Sequence, residues 1–128
     1  MYEVKILMAF AMTFDSEHGD RFREWLIGNG YQELGALSEA VKGSKKAYQW
    51  LLDNKFYHLA AFDSAIDEKE GSREWLLRFG FETLALTAAA VNKDMKAIAL
   101  LKARGLNVYI IIAEKIRKSL EDNSVLKL

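Results

Sequence analysis

A Trp-Leu pair recurs every 25 residues along the chain, as Trp25-Leu26, Trp50-Leu51 and Trp75-Leu76, with Leu100-Leu101 at the next step. Self-similarity at a fixed period of roughly 20 to 50 residues marks stacked supersecondary units, each too small to bury its apolar face alone. Other columns keep the same step: Tyr31, Phe56, Phe81 and Leu106; Leu34, Leu59, Leu84 and Tyr109; Val41, Ile66, Val91 and Ile116. Small residues recur too, with Gly35, Ala60 and Ala85 in one column and Ala40, Ala65 and Ala90 in another.

Within each unit the apolar spacing is helical. Ala47, Trp50, Leu51 and Asn54 stand at i, i+3, i+4 and i+7, and Ser72, Trp75, Leu76 and Phe79 repeat the set, defining a shorter first helix. Gly30, Asn54-Lys55, Gly80 and Gly105 then reverse the chain. A second helix starts at the aromatic column, placing Phe56, Leu59, Ala60, Asp63 and Ile66 on one face; Ala61 and Ala65 widen that stripe so that it can meet both neighbouring units. Ser44, Ser72 and Asp94 are the expected N-caps of the next short helices. Ile6, Ala9, Phe10 and Thr13 fit the second-helix pattern, so the chain opens with a lone second helix acting as a lid, and Val125-Leu126 falls on the Trp-Leu columns as a stub of a further first helix. Val108 to Ile112 is β-branched and aromatic, and Tyr2 to Ile6 partly alternates, but the repeat favours helix for both. The expected fold is all-α: a right-handed solenoid of about four two-helix repeats with an extra N-terminal helix, forming one domain over residues 1–128.

Composition narrows the function classes. With 51% hydrophobic residues, 128 residues suffice for one buried core. Lys plus Arg equal Asp plus Glu at 18 each, leaving no strong field to attract nucleic acid or an anionic membrane, and neither is expected as a partner. The chain has no cysteine, hence no disulfide, thiolate metal site or cysteine nucleophile; this is compatible with a reducing compartment, and the cytoplasm is the expected location. The apolar run Ile6 to Met12 is far short of the roughly 20 residues a bilayer span needs, follows Glu3, and lacks a small-residue cleavage site, so it reads as a buried helix.

Leu59-Ala60-Ala61 after His58, and Trp75-Leu76-Leu77 followed by Gly80, resemble the helical part of an ankyrin repeat, a likeness covering about one hundred residues. The resemblance implies protein binding along a groove. Ankyrin units are about 33 residues long, with a projecting hairpin and a Thr-Pro-Leu-His opening. The shorter units here have no room for that hairpin and the chain has no proline, so binding through hairpin tips does not carry over.

Few residues offer chemistry. His18 and His58 lie in different units without an acidic partner at ligand spacing, so neither metal binding nor general-base work is expected. His58 reads as a surface residue beside Tyr57, and His18 as a solvated loop residue near Glu17 and Asp20. Asp63 shares a column with Ser38, Ala88 and Ala113; burying a carboxylate is costly, so a partly exposed, locally hydrogen-bonded aspartate is expected. Asp67, Glu68, Lys69 and Glu70 read as a solvated turn. A tryptophan ladder could stack a peptide, a sugar or single-stranded nucleic acid, but each ring precedes a repeated leucine, which favours core packing. Gly19, Gly28, Gly30 and Gly43 form no phosphate loop.

The leading functional reading is a non-enzymatic protein-protein interaction module without a cofactor. Gln32, Tyr57, Glu82 and Asn107 occupy one outward column of the second helices, and Glu33, His58, Thr83 and Val108 the next. By analogy with ankyrin these line the concave side, making Gln32, Glu33, Tyr57, His58, Glu82 and Thr83 the expected partner-binding residues. An alternative is a self-assembling structural protein. Ile110 and Ile111 replace small residues in their columns, and only the Val125-Leu126 stub remains to cover them, so Ile110, Ile111 and Ile112 form the expected homodimer contact. Nucleic-acid binding by a helical repeat is the third reading, disfavoured by the zero net charge.

Overall fold

The computed structural model describes residues 2–126, with side chains through residue 123. Among these residues the chain forms nine helices and no strand: α1 (Val4–Met12), α2 (Gly19–Gly28), α3 (Gln32–Val41), α4 (Lys45–Asp53), α5 (Tyr57–Ile66), α6 (Ser72–Arg78), α7 (Glu82–Val91), α8 (Met95–Ala103) and α9 (Asn107–Leu126). The protein is therefore all-α, and both β-prone segments are helical.

One turn recurs at the 25-residue step. The backbone N–H groups of Tyr31, Phe56, Phe81 and Leu106 donate to the carbonyls of Leu26, Leu51, Leu76 and Leu101 at 2.8, 2.8, 2.7 and 2.9 Å. This six-residue closure places the intervening residue in the left-handed region, at φ 91° for Gly30, 66° for Lys55, 85° for Gly80 and 72° for Gly105. Three of the four positions are glycine, for which that conformation costs nothing; Lys55 bears the cost. At the other end of the unit, Ser44 accepts from the Ala47 N–H, and Asp94 from the Lys96 and Ala97 N–H groups, as N-caps. Ser72 does not cap. Gly71 takes the N-cap position at φ 82°, and the Ser72 hydroxyl donates back to the Lys69 carbonyl.

The repeated leucines are the innermost residues: Leu26, Leu51, Leu76 and Leu101 are all 0% exposed. The neighbouring tryptophans pack against the core only in part. Trp25 is 41% exposed, while Trp50 and Trp75 lie half-buried and stack on Phe56 and Phe81, the aromatic residues that open the next helix. The leucine points between the inner helices; the ring beside it packs along the edge of the unit.

Helix α3 packs on α5, α5 on α7 and α7 on α9; α9 packs in turn on α1, which touches α2 and α3. The odd-numbered helices thus close a ring. Helices α2, α4, α6 and α8 each bridge two neighbouring inner helices from outside, and among the described residues no outer helix covers the gap between α9 and α1. Two expectations for the termini change accordingly. Helix α9 runs through Leu126 without a break, so no separate first helix starts at Val125-Leu126, whose side chains lie outside the described residues. Helix α1 does not cap one end; it lies between α9 on one side and α2 and α3 on the other, and it is α1 rather than a C-terminal stub that packs on α9. Its pairing is also offset: Leu7 and Phe10 stand where α3 places Leu34 and Leu37, a step of 27 residues. The longer connection through Thr13 to His18 supplies the two extra residues. Gly19 ends that connection in close approach to the Thr13 carbonyl, where a Cβ would collide with backbone.

Candidate functional site

The centre of the ring is hollow. The inner helices enclose a cavity of about 550 Å³, built in tiers. One tier is Leu7, Leu34, Leu59, Leu84 and Tyr109; the next, three residues further along each helix, is Phe10, Leu37, Phe62, Thr87 and Ile112. Three residues of helix separate the tiers by about 4.5 Å. Tyr2, Tyr31, His58, Phe81 and Thr83 border the cavity at the N-terminal ends of the helices, so it is a cup with a rim. Periodicity places the leucine column in the core, and these side chains are largely buried; they nevertheless border a space that no protein atom fills.

Helix α7 forms the recessed wall. Thr87 is 1% exposed in a position where other inner helices carry Phe10, Leu37, Phe62 and Ile112, and Thr83 and Gly80 continue the small side chains up to the rim. The Thr87 hydroxyl donates to the Thr83 carbonyl at 2.7 Å, so this buried polar group is satisfied within the helix.

Polar groups reach the cup at three other places. The Tyr2 hydroxyl donates to Glu33 Oε2 at 2.7 Å, fastening the N-terminal segment to α3; burial, then the bond and charge of Glu33, push its pKa well above the usual phenol range. Burial also pushes the Tyr109 hydroxyl up. Desolvation lowers the His58 pKa against the weaker opposing pull of Glu33, leaving the imidazole neutral at pH 7. His58 and Tyr109 make no side-chain hydrogen bond to a described residue. His58 instead stacks on Phe81 with ring centroids 5.0 Å apart and tilts against Phe56 at 6.4 Å. With Trp50 on Phe56 and Trp75 on Phe81, a row of five aromatic rings centred on His58 runs outward from the rim.

The residues expected to bind a partner divide by helical angle. Glu33, His58 and Thr83 are half-buried: His58 and Thr83 face the cup, and Glu33 is held by Tyr2. His58 is thus not the surface residue expected, because the ring places α7 and its Phe81 against it. Gln32, Tyr57 and Glu82, one residue earlier, are exposed outside the same helix starts; Tyr57 is 50% exposed, and Glu82 accepts from Arg104 at 2.7 Å. Of the isoleucines, Ile112 is buried and lines the cup, whereas Ile110 and Ile111 are half-buried on α9.

Asp63 lies outside the cup. It is 7% exposed, and no described residue donates a hydrogen bond to its carboxylate, contrary to the locally bonded, partly exposed aspartate expected. Burial pushes its pKa up to about 6; Asp67 adds to the rise and Lys69 opposes it. His18 is exposed, near Glu17 at 3.7 Å, and Asp67, Glu68, Lys69 and Glu70 are exposed. Among the described residues no group of three or more His, Asp or Glu side chains is placed to hold a metal ion, and no helix is long and apolar enough to cross a membrane. The chain matches no protein family, no curated protein and no solved structure.

Proposed function

We propose that this chain is a non-enzymatic protein-binding module, a right-handed α-solenoid of about four ankyrin-like helical hairpins that closes on itself through α1. The observation that carries the reading is the side-by-side display of Gln32, Tyr57 and Glu82 at equivalent positions of three adjacent helices, outside a rim to which Glu33, His58 and Thr83 also belong. An aromatic residue half exposed among polar neighbours contributes contact area at small entropic cost, a composition found at binding surfaces. Neutral overall charge and a cytoplasmic setting suit a partner recognised by shape and local polarity rather than by long-range attraction.

Panning a displayed peptide library on the parent chain and on a variant carrying Gln32→Ala, Tyr57→Ala and Glu82→Ala tests this surface. Sequences enriched on the parent and lost on the variant support it. Equal enrichment on both, or none on either, refutes it.

A second reading, homodimerisation, is favoured by the half-buried Ile110 and Ile111 on α9, a helix that among the described residues has no outer helix over its contact with α1. Light scattering on the eluting parent chain decides it: a dimer converted to a monomer by Ile111→Lys supports the contact, and a parent chain that is already monomeric removes it.

A further inference from the structure

We propose that the cup at the ring centre is a binding site for one uncharged, largely apolar small molecule bearing a single hydrogen-bonding group. This goes beyond the protein-binding surface, which lies outside the rim. Its volume of about 550 Å³ falls within the roughly 300–1,000 Å³ typical of small-molecule sites. The cup opens at the N-terminal ends of the inner helices, past Tyr2, Tyr31, His58, Phe81 and Thr83, so a ligand can enter it from the rim. The sequence keeps it open in one place: Thr87 and Thr83 of α7 are short where the same tiers elsewhere carry Phe62 and His58.

The lining sets the ligand's chemistry. Among the described residues no lysine, arginine or carboxylate lines the cup, and Glu33 beside the rim is occupied by the Tyr2 hydroxyl at 2.7 Å. A charged ligand would lose its hydration with no opposite charge to meet it. Leucine and aromatic walls accept apolar rings or chains. Two polar side chains, His58 at the rim and Tyr109 a tier below, border the same space and make no side-chain hydrogen bond to a described residue, leaving a donor and an acceptor for the ligand's one polar group.

Titration with the uncharged fluorophore N-phenylnaphthylamine tests the site. The expected result is saturable enhancement with one probe per chain, weakened at least tenfold by Thr87→Phe, which projects a ring into the cup. Thr83→Phe, filling it from the rim, serves if Thr87→Phe does not fold, and thermal melting identifies the folded variant. Decanol is expected to displace the probe at least tenfold more effectively than decanoate. Non-saturable enhancement, or equal binding by a folded cup-filling variant, overturns the site; equal displacement by decanoate overturns the uncharged ligand class.

Discussion

Replacing Asp63 by asparagine keeps the side chain's shape and removes its charge. Asp63 sits at 7% exposure in a column whose other members are Ser38, Ala88 and Ala113, and its pKa rises from 3.8 to about 6 chiefly because burial disfavours the carboxylate. A carboxyl whose folded pKa is raised binds its proton more tightly in the fold than in the unfolded chain. Its stabilising contribution is therefore full below 3.8 and is lost as pH rises through about 6. At about 1.4 kcal/mol per pH unit, that interval corresponds to a loss of about 3 kcal/mol. Asp63→Asn is accordingly expected to gain about 1–3 kcal/mol over the parent at neutral pH, and to differ little from it at about pH 3.5, where the parent carboxyl is protonated. Urea unfolding followed by far-UV circular dichroism at several pH values measures this, and subtracting variant from parent cancels the other carboxylates. A variant less stable than its parent at neutral pH would mean that the charged carboxylate is held by a favourable partner, and the argument from burial would fail.

Two further substitutions test the repeat itself. Leu51→Ala removes a side chain with 0% exposure and should cost about 2–5 kcal/mol in chemical unfolding; a loss under about half a kcal/mol would place this column at the surface. Lys55→Gly brings the one non-glycine residue of the repeated turn, at φ 66°, into line with Gly30, Gly80 and Gly105, and should stabilise the protein by about 0.5–1 kcal/mol. A melting temperature unchanged or lowered by that substitution would show that Lys55 contributes more by its side chain than it costs by its backbone.

The parts of the fold legible in the sequence are those governed by local geometry. The leucine column, the turns after it, and the caps at Ser44 and Asp94 each follow from contacts spanning a few residues, and 25-residue recurrence reinforces each one. The offset of α1 was not legible, because Phe14 and Gly19 lie in and at the end of the connection from Thr13 to His18 without a counterpart in the other units that would show it to be two residues longer. Ring closure was hidden for a related reason: packing of the first helix on the last leaves no periodic trace. The cup is the subtler case. Periodicity identifies Leu34, Leu59 and Leu84 as facing inward, yet an inward face has the same spacing whether it meets protein or encloses a space. A hint was present in Thr87, a short polar residue among Phe62, Leu37 and Ile112, but it becomes a signal only once those columns are known to converge.

Closure and hollowness have one geometric cause. Packed helices lie about 8–10 Å apart, so five axes set evenly on a ring stand about 7–8.5 Å from its centre. A helix with its side chains has a radius of about 5–6 Å. The difference leaves a central space that average side chains do not reach, and only large residues pointing straight inward can fill it. Phe10, Leu37, Phe62 and Ile112 fill most of the lower tier and form the floor of the cup, and Thr87 is the shortest side chain in it. An open stack of the same units would have no such centre, because its first and last helices would not meet. The contact of α1 with α9 therefore creates the cup as well as closing the ring. Helix α1 is the one inner helix paired at a 27-residue offset, and that offset presents Leu7 and Phe10 to the centre. The irregular N-terminal connection is thus part of how the cup is formed.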